Sequence, residues 1–230
     1  MDTTIYSDGT YFRNNPDWHA DDSTWKARHI AGILERNGIE PRTVCEIGCG
    51  AGEVLRGLAA ELPQASSFVG YDISPDAFRL CAAKAGGKIE FRFGNMLEEP
   101  VEFDVAMAID VFEHVEDYFD FLRRLRTKAR YKVFHIPLDL SALALLRGEP
   151  LRMRKNVGHI HYFDKDTALA ALEDTGHRVV DWKYTSGRTE LPNLGWKSRL
   201  LKGPRKTLYA MSPDFAAKAL GGYSLLVLAR

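Results

Sequence analysis

Residues 43–54 read "TVCEIGCGAGEV": a short apolar run, an acid at Glu46, and glycines at 48, 50 and 52. The β-branched start predicts a strand, and the following "EVLRGLAAEL" predicts a helix, so the glycines form the turn between them. Glycine there allows a tight turn and lets a ligand approach the main chain without meeting a Cβ. Dinucleotide folds use G-x-G-x-x-G and set a pyrophosphate on the helix N-terminus. Here the third glycine comes one residue early, and Glu46 and Glu53 flank the turn. Carboxylates beside a pyrophosphate would repel it. The turn suits a nucleoside that carries positive charge and no phosphate.

The same rhythm continues on both sides. "SFVGYD" (67–72), "IEFRF" (89–93), "FDVAMAI" (103–109) and "YKVFHI" (131–136) read as strands, and 52–62, 75–85 and 117–129 as the helices between them. Such alternation predicts parallel strands with right-handed crossovers, hence a doubly wound sheet. Residues 23–37 predict a helix before the first strand. A helix over 167–175 and strands in "HRVVDWKY" and "YSLLVLA" complete the pattern. The expected organisation is one domain over 39–230, with 1–38 as an N-terminal segment and helix of the same domain. Two insertions, 138–158 and 186–222, fall outside the alternation and are expected to act as lids.

S-adenosylmethionine meets the demand of the turn, since it carries an ammonium and a sulfonium and lacks phosphate. Glu46 would help hold the methionyl amine, and Gly48, Cys49, Gly50 and Gly52 would lie against the nucleoside. Asp72 ends the second strand twenty residues past Gly52, where an acid accepts hydrogen bonds from ribose hydroxyls. Ile73 follows it. Asn95 and Met96 end the third strand and are expected at the adenine edge and face. Ile109 and Asp110, ending the fourth, would line the methyl site.

On these residues the chain resembles the class I S-adenosylmethionine-dependent methyltransferases. "VCEIGCGAGE" is similar to their glycine motif and "VGYDISPDAF" to their second-strand acid; "FRFGNMLE" and "FDVAMAIDVFEHVEDYFDFLRRL" are similar to the third- and fourth-strand motifs. The resemblance covers about Ile39 to Tyr184 and the last strand. It implies a Rossmann-like, mostly parallel seven-stranded sheet whose final strand runs antiparallel. Where the family commonly has "GD", this chain has "GN" at Gly94 and Asn95.

Methyl transfer from a sulfonium mainly requires acceptor and methyl aligned about 3 Å apart in a dry site. A base is needed when the acceptor is a protonated hydroxyl. His114, in "IDVFEHVED", is the best-placed candidate, with Asp110 and Glu113 expected to hold its tautomer or raise its pKa. His135 ends the fifth strand, and His159 and His161 alternate in "GHIHYFD"; His135 and His159 are the further catalytic candidates. Asp110, Glu113 and His114 also resemble a metal-binding run of some quinone-ring methyltransferases. No fourth ligand is visible, so no metal is expected.

Composition sets the outer bounds. The 230 residues are 45% hydrophobic and 27% charged, and 31 basic residues balance 31 acidic ones. No global field draws the chain to nucleic acid. No apolar stretch approaches the roughly 20 residues of a spanning helix. Cys45, Cys49 and Cys81 form no C-x-x-C pair, and the N-terminus carries no secretory pattern, so a cytoplasmic protein is expected. Arg147, Arg152, Arg154 and Lys155 in the first insertion, and Arg188, Lys197, Arg199, Lys202, Arg205 and Lys206 in the second, read either as a solvated surface or as a lid over an anionic acceptor. Tyr11, Trp18 and Trp25 would cover the cofactor or anchor the first helix, with anchoring preferred. The expected activity is methylation of a small-molecule acceptor at oxygen, on an anionic or sugar-type substrate. The competing readings are a catalytically silent cofactor-binding subunit, a macromolecule methyltransferase, and a nicotinamide oxidoreductase, which the glycine spacing opposes.

Overall fold

Strands buried on both faces need apolar residues at successive positions, and the central strands have them. In β1 (Thr43–Ile47) every residue after Thr43 is buried. The computed structural model describes residues 22–191 and 196–230; Tyr11 and Trp18 lie outside the described residues. Helix α1 (Ser23–Arg36) precedes β1, and α2 (Glu53–Glu61), β2 (Ser67–Asp72), α3 (Pro75–Ala82), β3 (Ile89–Phe93), β4 (Phe103–Ile109), α4 (Tyr118–Arg126) and β5 (Ala129–Pro137) follow. Next come α5 (Ala142–Leu146), α6 (Glu149–Asn156), α7 (Lys165–Asp174), β6 (Val179–Thr185), α8 (Gly187–Glu190), α9 (Trp196–Met211), α10 (Pro213–Leu220) and β7 (Ser224–Ala229).

The seven strands form one sheet in the order β3-β2-β1-β4-β5-β7-β6. Neighbours from β3 to β5 pair in parallel, and β7 runs antiparallel between β5 and β6. The chain moves one way from β1 to β3 and the other way from β4 to β5. The crevice for ligands therefore opens beyond the C-terminal ends of β1 and β4, at the switch point. Alternate residues feed two cores. Cys45, Ala106, Ala108 and Phe134 face one layer with α4, α7 and α10. Val44, Val105, Met107 and Val133 face the other, with α1 and α2.

Local chemistry sets most helix ends. Ser74 caps α3 by accepting from the Ala77 amide, with Pro75 in the first turn. Asp164 and Thr167 form a reciprocal capping box at α7. Two predicted helices stop early: α3 ends at Ala82 instead of 85, and α4 at Arg126 instead of 129, because Ala129 already begins β5. Helix α1 crosses α2 closely, since a Cβ on Gly57 would stand 2.9 Å from the Ala27 Cβ. That crossing brings the first turn of α1 over the C-terminal ends of β1 and β4.

Candidate active site

The glycine turn is built as the sequence requires. Gly48, Gly50 and Gly52 all adopt positive φ, at 66°, 53° and 77°. A side chain at Gly52 would also collide with Phe91, whose ring carbon lies 2.5 Å from the Cβ position. Asp72 clamps this turn from the neighbouring strand: its Oδ2 accepts from the Gly50 amide and its Oδ1 from the Ser74 amide, both at 2.8 Å. Burial pushes the Asp72 carboxyl up, and the Ser74 and Gly50 amides offset part of that. From its place at the end of β2 this acid is expected to hold ribose hydroxyls. Its observed bonds fix the glycine loop, on which a nucleoside would rest.

Glu46 is buried beside the turn, with Oε2 left without a hydrogen-bond partner. Burial raises its pKa to about 8, and the Lys26 charge and the Leu55 amide only partly counter it. A small cavity of about 100 Å³ touches Glu46, Gly48, Cys49, Gly50 and Ile109, and shares Lys26 and Asp110 with a larger one. An ammonium entering there would meet a carboxyl oxygen that has no hydrogen-bond partner, and its charge would favour loss of the carboxyl proton.

The adenine-side expectations need correction. Met96 is fully buried within the core, so its side chain has no face to offer a ring. The Asn95 side chain caps the 3-10 turn Met96–Glu98 by accepting from the Leu97 amide, and its Nδ2 donates to Glu98 Oε1. Ile73 is exposed at the same edge, as is Phe93 at the end of β3.

The larger cavity, about 580 Å³, lies over the ends of β4 and β5; Trp25, Lys26, Asp110, His114, His135, Asp139, Arg147 and His159 are on its wall. It is polar at its floor. Asp110 has φ 54°, the one positive value outside glycine among the described residues, and this strained turn aims its carboxylate inward. Its Oδ1 lies 2.6 Å from His135 Nδ1 and its Oδ2 2.8 Å from Lys26 Nζ. Lys26 also pairs with Asp22 at 3.0 Å. Burial disfavours the Lys26 charge, yet Asp110 and Asp22 outweigh it and hold the ammonium protonated. Burial likewise opposes the Asp110 charge, and Lys26 and His135 overcome it, leaving the carboxyl well below its usual range.

This network corrects two expectations. Asp110 supports His135 and Lys26 instead of steering His114. His135 is buried with both nitrogens engaged, since its Nε2 lies 2.9 Å from Thr185 Oγ1. It therefore holds Asp110 in place and is not poised to take a proton from an acceptor. Lys26 and Thr185 were missed from sequence. A lysine among the buried Ser23, Ala27, Ile30 and Leu34 of α1 was the available signal for the first; Thr185 gave none.

His114 lies on the cavity wall, its Nδ1 3.1 Å from the Gly158 carbonyl. Its pKa is lowered to about 4, first by burial and then by the neighbouring His159, opposite to the expected rise. His159 packs edge-on against it, ring centroids 4.7 Å apart, and its Nδ1 lies 2.5 Å from Asp139 Oδ2. His161 turns away to the Glu116 carbonyl and the Tyr118 ring. Trp25 donates to Glu190 Oε2 at 2.8 Å and its ring stands edge-on to His135 of β5 at 6.1 Å, while also touching the cavity. Of the basic residues in the two insertions, Arg147 alone lines the large cavity among the described side chains. Arg205 is spent on the Gly221 carbonyl. Among the described residues no helix is long and apolar enough to cross a membrane.

These titrations fix the sign of one pH effect. Glu46 binds its proton more tightly folded (about 8) than unfolded, so stability falls as pH rises from 4.5 towards 8. His114 and His177, both lowered to about 4, act oppositely, losing stability as pH falls from 6.5. Urea midpoints should therefore decline between pH 6.5 and 8. Glu46→Gln should make that slope shallower, the remainder belonging to Glu113, whose buried carboxyl is also pushed up; an unchanged slope would show that Glu46 is not among the titrating groups.

The fold and the switch-point site define the class of Rossmann-like methyltransferases. The methyltransferase domain family matches residues 19–181, and the chain belongs to it. It is 31% identical over 144 residues to the mitochondrial ubiquinone biosynthesis O-methyltransferase of Schizosaccharomyces pombe, covering 57% of this chain and 52% of that protein. It is 30% identical over 109 residues to the norajmaline N-methyltransferase of Rauvolfia serpentina, covering 44% and 36%. The chain thus spans about half or less of the length of the curated relatives it matches. Among solved structures, the magnesium protoporphyrin IX methyltransferase of Synechocystis PCC 6803 with bound SAH superposes with a TM-score of 0.60 at 17% identity, over 90% of this chain and 82% of that one. An O-methyltransferase family protein from Burkholderia thailandensis gives 0.62 at 17%, over 98% and 63%. At that identity both report on the fold.

Proposed function

We propose that the protein transfers a methyl group from S-adenosylmethionine to a hydroxyl of a small molecule held in the larger cavity. The carrying observation is that this cavity and the small one beneath the glycine turn share Lys26 and Asp110 on their walls. A sulfonium methyl placed between them would face the acceptor across the strained Asp110 turn. In this reading Glu46 takes the methionyl ammonium, Asp72 and the turn take the ribose, and Ile73 and Phe93 flank the adenine. Cys49 and Ile109 close the sides. The partly polar floor accommodates a hydroxylated acceptor, and Arg147 on the wall would favour one bearing an anionic group. Names of relatives such as the ubiquinone O-methyltransferase support oxygen as the methyl acceptor.

His114, largely neutral at pH 7, can accept the proton released from that hydroxyl. The test is turnover: S-adenosylhomocysteine release measured against a panel of phenols, catechols, sugar phosphates and hydroxy acids. Release that depends on a hydroxylated acceptor is expected. Cofactor binding without turnover on any acceptor would favour the silent-subunit alternative.

A further inference from the structure

Two of the three cysteines meet beside the glycine turn. Cys49 stands between Gly48 and Gly50, and Cys81 lies near the end of α3. Both are buried in the same core layer, at 6% and 0% exposure, whereas Cys45 faces the opposite layer. Two glycines and the Phe91 ring bring them together. A Cβ at Gly70, inside β2, would stand 2.9 Å from Cys49 Sγ, and one at Gly52 would stand 3.0 Å from the Cys81 Cβ. Either would also press on the same Phe91 carbon, Cε1, at 2.9 and 2.7 Å. Glycine inside a strand weakens it and marks a close approach; at Gly70 the approach is that of the Cys49 sulfur and the Phe91 ring. Cys81 Sγ donates to the Phe78 carbonyl at 3.4 Å, which leaves its lone pairs for Cys49. The Cys49 thiol is hydrogen-bonded to the Cys81 sulfur, and this contact raises the Cys49 pKa and lowers that of Cys81.

A buried thiol on its own serves as a small apolar side chain. This pair differs on two counts. The two sulfurs are partners, and Cys49 lies on the wall of the small cavity beneath the turn, where a small solute can reach it. We propose that Cys49 and Cys81 form a reversible disulfide in response to peroxide, and that this bond shuts the cofactor crevice. The shutting rests on the methyl-transfer reading above; the bond itself does not.

The chemistry balances in two steps. Cys49 gives up its proton and its sulfur attacks one peroxide oxygen; the O–O bond breaks, leaving a sulfenic acid and one water. The Cys81 sulfur then attacks the Cys49 sulfur, forming the S–S bond and releasing the sulfenic oxygen as a second water. Two thiols have lost two hydrogens, and one peroxide has become two waters. An S–S bond of about 2.05 Å is far shorter than any hydrogen-bonded contact between sulfurs, so the turn must move toward α3. The turn is pinned to β2 on its other side: the Cys49 amide donates to the Tyr71 carbonyl at 3.0 Å and the Gly50 amide to Asp72 at 2.8 Å. Lys84, just past α3, already grips the turn through the Ala51 carbonyl at 2.7 Å. Drawing Cys49 toward α3 therefore works against the Gly50–Asp72 clamp on which the nucleoside would rest. Conversely, a bound nucleoside would cover Cys49 and hold the turn on β2.

In the test, full-length protein is reduced, freed of reductant and treated with hydrogen peroxide; remaining thiols are alkylated and the peptides mapped by mass spectrometry. One disulfide joining Cys49 to Cys81 is expected, with Cys45 still alkylated, and dithiothreitol should reverse it. Affinity for S-adenosylhomocysteine, measured by calorimetry, should fall about 10- to 100-fold on oxidation, as the Gly50–Asp72 hydrogen bond is lost, and return on reduction. S-adenosylhomocysteine present during the peroxide treatment should slow formation of the bond. Cys81→Ala should keep the affinity of the reduced protein and form no disulfide, while Cys45→Ala should respond to peroxide as the unaltered chain does. Thiols at 49 and 81 that both stay alkylatable, or Cys49 oxidised without joining Cys81, would overturn the pair. A mapped disulfide that leaves affinity unchanged would overturn the closure. Cofactor binding by the reduced protein separates the two readings. Binding with no disulfide after peroxide removes the switch alone; a disulfide in a protein whose reduced form binds no S-adenosylhomocysteine upholds the bond and removes the methyl-transfer reading.

Discussion

Lys26→Met should destabilise the protein by about 3–5 kcal/mol, the usual consequence of removing one partner from a buried ion pair. For a chain of this size that corresponds to a fall in Tm of roughly 6–20 °C. The methionine retains most of the side-chain volume, so packing loss is small and the orphaned carboxylates dominate. Lys26 Nζ is the cation between Asp110 at 2.8 Å and Asp22 at 3.0 Å, on a side chain only 9% exposed. Without it, Asp110 keeps its hydrogen bond with His135 but loses the paired ammonium, while its backbone still holds a strained φ of 54°. The double variant Lys26→Met, Asp110→Asn should recover a substantial part of the loss, since the uncompensated charge is then gone. Thermal unfolding followed by circular dichroism measures both; a double variant as unstable as the single one would assign the cost to packing.

Asp72→Ala should lower affinity for S-adenosylhomocysteine by about 10- to 100-fold, or roughly 1–3 kcal/mol for lost hydrogen bonds to a charged group. Two losses combine. The ribose would lose its acceptor, and the Gly50 and Ser74 amides would lose the carboxylate that fixes the turn. Asp72→Asn separates them, because its amide oxygen can still accept from one of these amides. An intermediate affinity for the asparagine variant is expected in calorimetric titration. Unchanged affinity in both variants would remove Asp72 from the cofactor site.

Local chemistry made much of this legible from sequence. The bounds of β1 to β4 match the expected runs residue for residue, because each run is short, rich in β-branched or aromatic residues and closed by turn residues. The glycine turn was readable because positive φ restricts residue choice so strongly. The antiparallel β7 followed from the resemblance and not from its own pattern. What remained hidden depends on contacts distant in sequence. Nothing near Asp110 announces that Lys26, 84 residues earlier, will neutralise it. The contact of His114 with His159 arises only when the loop after α6 folds back over the 3-10 turn at Phe112–His114. Met96 was misassigned because an apolar residue at a strand end serves core and ligand equally well in sequence. The second insertion is mostly helical, and its mixed charge and apolar content concealed that periodicity.

A crystal structure of the protein grown with S-adenosylhomocysteine tests the central claim most directly. We expect density along the C-terminal ends of β1 and β2, with the amino group against Glu46 and the ribose hydroxyls within hydrogen-bond distance of Asp72. An empty crevice under saturating ligand, or a ligand bound elsewhere on the sheet, would contradict it.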